Sequence, residues 1–114
     1  MIIVDTALKA REKEGRPIRV ALIGAGFMSH GLANHIVNTT PGMRLAGVYN
    51  RRPQRAFDLF KYAGVKDVVS PKTQKEADLA MKEGIAVATD DAFLLARSQE
   101  IDVIVDVTLS LIHI

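Results

Sequence analysis

The segment IRVALIGAGFMS, residues 18–29, decides the fold of this 114-residue chain. Its first half, Ile18–Ile23, is rich in Val, Leu and Ile, which predicts a strand that is covered on both faces. Its second half is a glycine turn that opens a predicted helix from about Phe27 to Asn38. A strand that passes through a glycine turn into a helix is the arrangement that holds a dinucleotide pyrophosphate on backbone N–H groups.

Each small residue of this turn has its own physical role. Gly24 permits the tight turn, and Gly26, which has no Cβ, lets the backbone approach the phosphates. The third small position is Ser29, which is bulkier than glycine at a point where the helix must approach the strand. We expect its hydroxyl to bond either a backbone carbonyl or the phosphate. The alternative is a glycine-rich turn that binds no ligand.

Strand and helix signals alternate along the rest of the chain. Three further strands are predicted, at residues 44–49, 85–89 and 101–107. Pro53 and Gly64 mark the start and end of one helix, and Asp90 or Asp91 caps a short one. A charged helix before Gly84 is predicted to be a solvated insertion. This order predicts an α/β fold with a Rossmann-type parallel sheet of about four strands and helices on both faces.

These signals divide the chain into three parts. Residues 1–15 are predicted to be a helical extension, and residues 16–108 a partial NAD(P)-binding domain. Residues 109–114, LSLIHI, are what the transposase adaptor CTGTCTCTTATACACATCT specifies in frame. We therefore expect these six residues to be non-native and the domain to be an amino-terminal fragment, cut after its fourth strand. The alternative is a genuine C-terminal strand.

Composition limits the class of protein. Apolar residues make up 48% of the chain, which is enough for a packed core and excludes a disordered protein. The absence of cysteine excludes a disulfide scaffold and fits a cytoplasmic location. No secretory signal and no run of roughly 20 apolar residues is visible, so we predict no membrane association.

Basic residues are concentrated around the glycine turn. Between Gly15 and Phe57 the chain has six arginines and no Asp or Glu, although its net charge is only +2. Such a stretch is what a site for a phosphorylated ligand requires. We predict no nucleic-acid partner, since aromatic residues are scarce and no recognition motif accompanies the arginines.

The tripeptide Asn50-Arg51-Arg52 ends the second predicted strand, 24 residues after Gly26. In this architecture that position meets the adenosine ribose, where an acidic residue selects NAD and a nearby Arg accommodates the 2′-phosphate of NADP. Neutral Asn50 and two guanidinium groups therefore favour NADP over NAD. The alternative is a pair of surface arginines at the start of a helix.

Few other side chains suggest chemistry. Thr108 closes the last predicted strand beside the expected crevice, and we predict that it contacts the cofactor. His30 and His35 lie about 140° apart around a helix of 3.6 residues per turn, so we predict no metal site. Spacing alone supports no nucleophile–base pair and no pair of carboxylates, so no catalytic residue is assigned.

Three segments carry a family resemblance: PIRV leading into GAGFM (17–28), VYNRR (48–52) and DVIVDVT (102–108). They resemble the amino-terminal NAD(P)-binding domain of homoserine dehydrogenase-like oxidoreductases. The resemblance extends to a branch of longer bacterial proteins with a carboxy-terminal SAF domain, which includes a 1-deoxy-D-xylulose 5-phosphate reductoisomerase. It covers the chain as far as Thr108.

The resemblance implies roles for particular residues. The loop around Gly24, Gly26, Phe27 and Met28 would lie on the pyrophosphate. Residues 50–52 would meet the adenosine end, and the segment at Thr108 would approach the nicotinamide ribose. Two residues depart from the family pattern, Ser29 and Leu109. The catalytic lysine and aspartate of homoserine dehydrogenases belong to a substrate domain that this sequence lacks.

We therefore expect the cofactor-binding part of an NADP-dependent oxidoreductase that transfers a hydride to a small carbonyl substrate, such as aspartate semialdehyde or a sugar phosphate. The full-length protein would be an enzyme and a homo-oligomer that binds its substrate through the missing domain. The fragment alone would be inactive. One alternative is a non-catalytic, nucleotide-binding regulatory module, and another is a structural domain whose turn is empty.

Overall fold

The computed structural model describes residues 10, 15 and 17–107, apart from the side chains of two residues at the start of the first helix. Within that range the sheet comprises five strands: β1 Ile18–Ile23, β2 Met43–Tyr49, β3 Val68–Val69, β4 Ala86–Thr89 and β5 Val103–Asp106. The helices are α1 Phe27–Asn38, α2 Pro53–Ala63, α3 Gln74–Lys82 and α4 Ala92–Ala96. The predicted extension (1–15) and tail (109–114) lie outside the described residues, except for residues 10 and 15.

The sheet is parallel throughout, with the strand order β3-β4-β2-β1-β5. The predicted α/β architecture with a Rossmann-type parallel sheet is confirmed. It has one strand more than the sequence predicted, because Val68 and Val69 pair with the edge of β4. Two residues are too few to produce a periodic pattern, so this strand could not be seen in the sequence.

Helices cover both faces of the sheet. On one face, α1 and α2 pack against a cluster that includes Val20, Leu22, Val48, Leu59 and Phe60. On the other face, α3 and α4 pack against a second cluster, built on Ala21, Ala46, Met81, Val87 and Leu95. Alternate residues of β1 enter opposite clusters, as the period of a strand requires.

The charged helix α3 is not a solvated insertion, so that prediction was wrong. Its residues Ala77 and Met81 are fully buried, and they belong to the same cluster as Leu95. Small alanine side chains hid this face among the Lys, Glu and Asp of the helix. The helix begins at Thr73, whose hydroxyl accepts a hydrogen bond from the Glu76 N–H at 3.2 Å.

Gly47 lies beside an irregularity in β2 and lets α4 approach the sheet closely. Pairing with β1 shifts between Val20 and Ala21, so that Ala46 is an extra residue and Gly47 pairs with Ala21. A Cβ on Gly47 would overlap the buried side chain of Leu95. The absence of a side chain at Gly47 therefore lets α4 pack on the strand.

The strand order also positions the candidate site. Strand β1 lies between β2 and β5, and the chain crosses to opposite sides of β1 to form these two neighbours. Ligands of open parallel sheets bind beyond the carboxyl ends of the strands at such a reversal. The glycine turn follows β1 at this point. None of the described helices is long and apolar enough to cross a membrane.

Candidate dinucleotide-binding site

The glycine turn is anchored to the end of β2. The Gly24 N–H donates a hydrogen bond to the Tyr49 carbonyl at 2.7 Å. Gly24 has a φ of 109°, a conformation that L side chains rarely adopt, so glycine is required here by the fold itself. This hydrogen bond continues the β1–β2 ladder by one residue and directs the chain into α1.

Gly26 differs from Gly24 because neither its φ nor a steric contact within the described part of the chain requires glycine. Its backbone is extended, with φ −84° and ψ −167°, and a Cβ built on it meets no atom within 4 Å. The residue is exposed and serves as the N-cap of α1. The space above Gly26 is therefore open, as close approach of a ligand to the backbone would need.

The Ser29 side chain stabilises the glycine turn. Its hydroxyl donates to the Gly24 carbonyl at 2.8 Å, and the side chain is fully buried. Of the two partners expected for this hydroxyl, the structure selects the backbone carbonyl. Serine thus occupies the third small position and stabilises the turn through this hydrogen bond.

The amino-terminal end of α1 carries a positive partial charge that no acidic side chain of its own first turn offsets. The first turn has no Asp or Glu, and Gly26 supplies no side-chain cap. The Nδ1 atom of His30 lies 2.9 Å from the Gly26 carbonyl, and the His30 ring contacts Tyr62 edge-on at 5.0 Å. A helix terminus of this kind favours an anion.

Asn50 connects the two motifs that the sequence singled out. Its Oδ1 accepts a hydrogen bond from the Ala25 N–H at 3.3 Å, and its Nδ2 donates to the Arg52 carbonyl at 3.0 Å. Its backbone N–H donates to the Thr89 carbonyl at 3.0 Å. The sequence predicted only a contact between Asn50 and the adenosine ribose. In the structure, the Asn50 amide links the glycine turn to the loop that follows β2.

Arg51 and Arg52 lie on that loop, between β2 and α2. Both are exposed, and Arg52 is the N-cap of α2. Within residues 17–107, neither guanidinium has an ion pair or a side-chain hydrogen bond. The Asn50 amide therefore fixes the main chain at Arg52 relative to the glycine turn, and the two exposed guanidinium groups extend from this loop without a partner among the described residues.

The remaining candidate residues are placed less completely. Phe27 and Met28 are the first two residues of α1. Thr108 lies outside the described residues, although β5 directs the chain toward the turn: the Val107 N–H donates to the Ile23 carbonyl at 3.0 Å. The described part of the chain contains no group of three or more His, Asp or Glu that could hold a metal ion.

Two contributions to this site could not be read from the sequence. The Tyr49 carbonyl anchors Gly24 through the main chain, which leaves no signal in residue type. The Asn50 amide bridges segments 25 residues apart, and its signal was present only as an asparagine at a strand end. No protein-family model matches this chain, and no curated protein matches it significantly.

Proposed function

We propose that this chain is the NADP-binding part of an oxidoreductase of the homoserine dehydrogenase-like kind. The observation that carries the proposal is the loop with Arg51 and Arg52, unpaired in the described part of the chain, whose main chain is tied to the glycine turn through Asn50. The turn follows β1, where the order of strands reverses. This is the position at which parallel α/β sheets bind dinucleotides.

The residues present fit a bound dinucleotide. The open space above Gly26 leaves room for a pyrophosphate on the backbone, and the uncapped first turn of α1 offers N–H groups and a positive dipole. No steric contact among the described residues requires glycine at position 26, and a ligand in contact with the backbone would supply such a requirement.

NADP is favoured over NAD by charge. Its 2′-phosphate carries nearly two negative charges, and Arg51 and Arg52 are free to form charge-assisted hydrogen bonds with it. Such bonds are worth about 1.5–3 kcal/mol each, and solvent exposure of both arginines reduces this value. No carboxylate at position 50 is present to accept hydrogen bonds from the two ribose hydroxyls of NAD.

In the proposed reaction the nicotinamide, when bound, supplies or accepts the hydride. The residues of this chain bind and orient the cofactor: the glycine turn at the pyrophosphate, and the arginines at the adenosine ribose. The carbonyl substrate, of the aspartate semialdehyde or sugar phosphate class, would be bound through a further domain. We also propose a cytoplasmic protein that assembles as a homo-oligomer at full length, without nucleic-acid or membrane partners.

A calorimetric titration of the chain with NADPH tests the proposal. Saturable binding is expected, and no binding would leave the turn as a structural feature. The 114-residue chain should bind NADPH without oxidising it when aspartate semialdehyde or deoxyxylulose phosphate is added, because in this proposal a further domain holds the reacting carbon against the nicotinamide. Turnover by this chain alone would contradict that division of roles.

A further inference from the structure

A second candidate site lies near the amino-terminal ends of the strands, opposite the end that carries the glycine turn. A cavity of about 360 Å³ opens there, and its charged lining comprises Arg19, Arg44, Lys82 and Glu100. Arg19 and Arg44 lie near the starts of β1 and β2, whereas the glycine turn follows the end of β1. A six-residue strand spans about 20 Å at 3.3 Å per residue, so the two places are separate.

The charges around this cavity are unequally paired. Arg19 forms ion pairs with Glu100 at 3.0 Å and with Asp102 at 3.1 Å. Arg44 and Lys82, in contrast, have no carboxylate within ion-pair distance among residues 17–107. The lining therefore keeps a positive charge that its own acidic residues do not neutralise.

Arg44 is the unusual member of the group, because it is a partly buried cation. Its Nη2 donates to the Met81 carbonyl at 2.7 Å, which satisfies one carbonyl at the end of α3. Burial lowers the pKa of the Arg44 guanidinium from its usual value, and the neighbouring charge of Arg19 lowers it further, although Glu100 and Asp102 act in the opposite direction.

Capping of α3 explains only part of this arrangement. A guanidinium has five N–H donors, and the hydrogen bond to Met81 uses one of them. The remaining donors of Arg44 have no hydrogen-bond partner in the described part of the chain. A partly buried cation is costly unless it is paired, and an anion in the cavity would pair with it.

We propose that this cavity binds the oxyanion of a small organic molecule, a carboxylate or a phosphate ester, on Arg44 and Lys82. A guanidinium presents a planar fork that matches either oxyanion, and Lys82 adds a mobile ammonium at the rim. The volume lies at the lower end of the 300–1,000 Å³ that is typical of small-ligand sites. A metabolite of modest size fits such a space, whereas a dinucleotide does not.

The test uses the chain with Arg51→Ala and Arg52→Ala, so that anions bound by these two guanidinium groups are not counted; binding at the amino-terminal end of α1 is common to all the variants compared below. Inorganic phosphate and citrate are titrated separately into this protein at constant ionic strength, with chloride as the reference, by calorimetry and thermal unfolding. Both probes should bind and raise Tm above the chloride reference. The tighter of the two identifies the ligand as a phosphate ester or a carboxylate.

Variants then assign the binding to the cavity. Arg44→Gln should weaken it at least roughly tenfold and Lys82→Gln roughly threefold, while Lys75→Gln, an exposed lysine of the same helix, should leave it unchanged. If Arg44→Gln fails to fold, the comparison of Lys82→Gln with Lys75→Gln decides. Equal losses for these two lysine variants, or no binding of either probe, would overturn the proposal whether or not NADPH binds elsewhere.

Discussion

The side-chain oxygen of Asn50 accepts a hydrogen bond from the backbone N–H of Ala25 at 3.3 Å. This contact joins the glycine turn after β1 to the loop after β2, and the same amide donates to the Arg52 carbonyl. The pyrophosphate end and the ribose end of the proposed site are therefore positioned by one side chain.

Replacing Asn50 by Asp should shift the cofactor preference toward NADH. The Asp carboxylate can still accept from the Ala25 N–H, but it adds a negative charge near the 2′-phosphate and cannot donate to the Arg52 carbonyl. We expect NADPH affinity to fall roughly tenfold while NADH affinity holds or improves. Calorimetric titration of both cofactors checks this, and unchanged affinity for both would show that position 50 does not face the ribose.

The two glycines of the turn should respond differently to alanine. Gly26→Ala should lower the free energy of unfolding by less than about 1 kcal/mol, because its φ is negative and the space is open but alanine is a poorer N-cap than glycine, and it should weaken NADPH binding. Gly24→Ala should lower stability by about 1–2 kcal/mol, because it places a side chain at positive φ. Urea denaturation and NADPH titration separate the two effects.

Gly31→Ala is a matched control for that pair. Gly31 is an exposed residue within α1 with no atom near its Cβ position, so alanine should raise stability by up to about 1 kcal/mol without affecting NADPH. If Gly26→Ala binds NADPH as well as Gly31→Ala does, the open space above Gly26 is not the pyrophosphate site.

Gly47→Ala should destabilise the fold through Leu95. The added methyl overlaps a fully buried side chain, and overpacking of this kind costs about 1–3 kcal/mol. The cost should largely disappear when Gly47→Ala is made in a Leu95→Ala background, where space is available. A double-mutant cycle in urea measures the coupling, and additive losses would mean that Gly47 serves some need other than packing.

Arg19→Met should lower stability by about 1 kcal/mol, since it removes the partly exposed ion pairs to Glu100 and Asp102. The folded state raises the pKa of Arg19, chiefly through its hydrogen bond to Asp102. Because the pKa of Arg19 is higher in the folded state than in the unfolded state, its ion pairs stabilise the fold fully at every pH below the unfolded-state pKa. This stabilisation is lost only as the pH rises through the folded-state pKa. The difference in free energy of unfolding between the wild type and Arg19→Met should therefore be constant from about pH 6 to about pH 9. Urea titrations that gave a steep change within this range would contradict the assignment.

The sequence predicted most of the sheet because the strands are long apolar runs with clear turn signals. The bounds of β1, α1 and α2 follow from Pro, Gly and apolar spacing. Sequence analysis missed β3, because a strand of two valines is too short to show a periodic pattern. It also misjudged α3, because the buried residues of that helix are mainly alanines.

The candidate site could be predicted from the sequence to a similar degree. Glycine and arginine types indicated where phosphates would bind, because their chemistry is local. The bridge from Asn50 to Ala25 and the cavity at Arg44 depend on which distant segments meet, and residue type alone carries little of that information.

The most direct measurement compares the two cofactors in the wild-type chain and in the variant Arg51→Ala with Arg52→Ala. Calorimetry should show NADPH binding more tightly than NADH to the wild type, with a gap that narrows as salt is added. In the double variant NADPH affinity should fall roughly ten- to a hundredfold while NADH affinity hardly changes. Equal losses for both cofactors would mean that the arginines serve the fold, and would contradict the assignment of NADP.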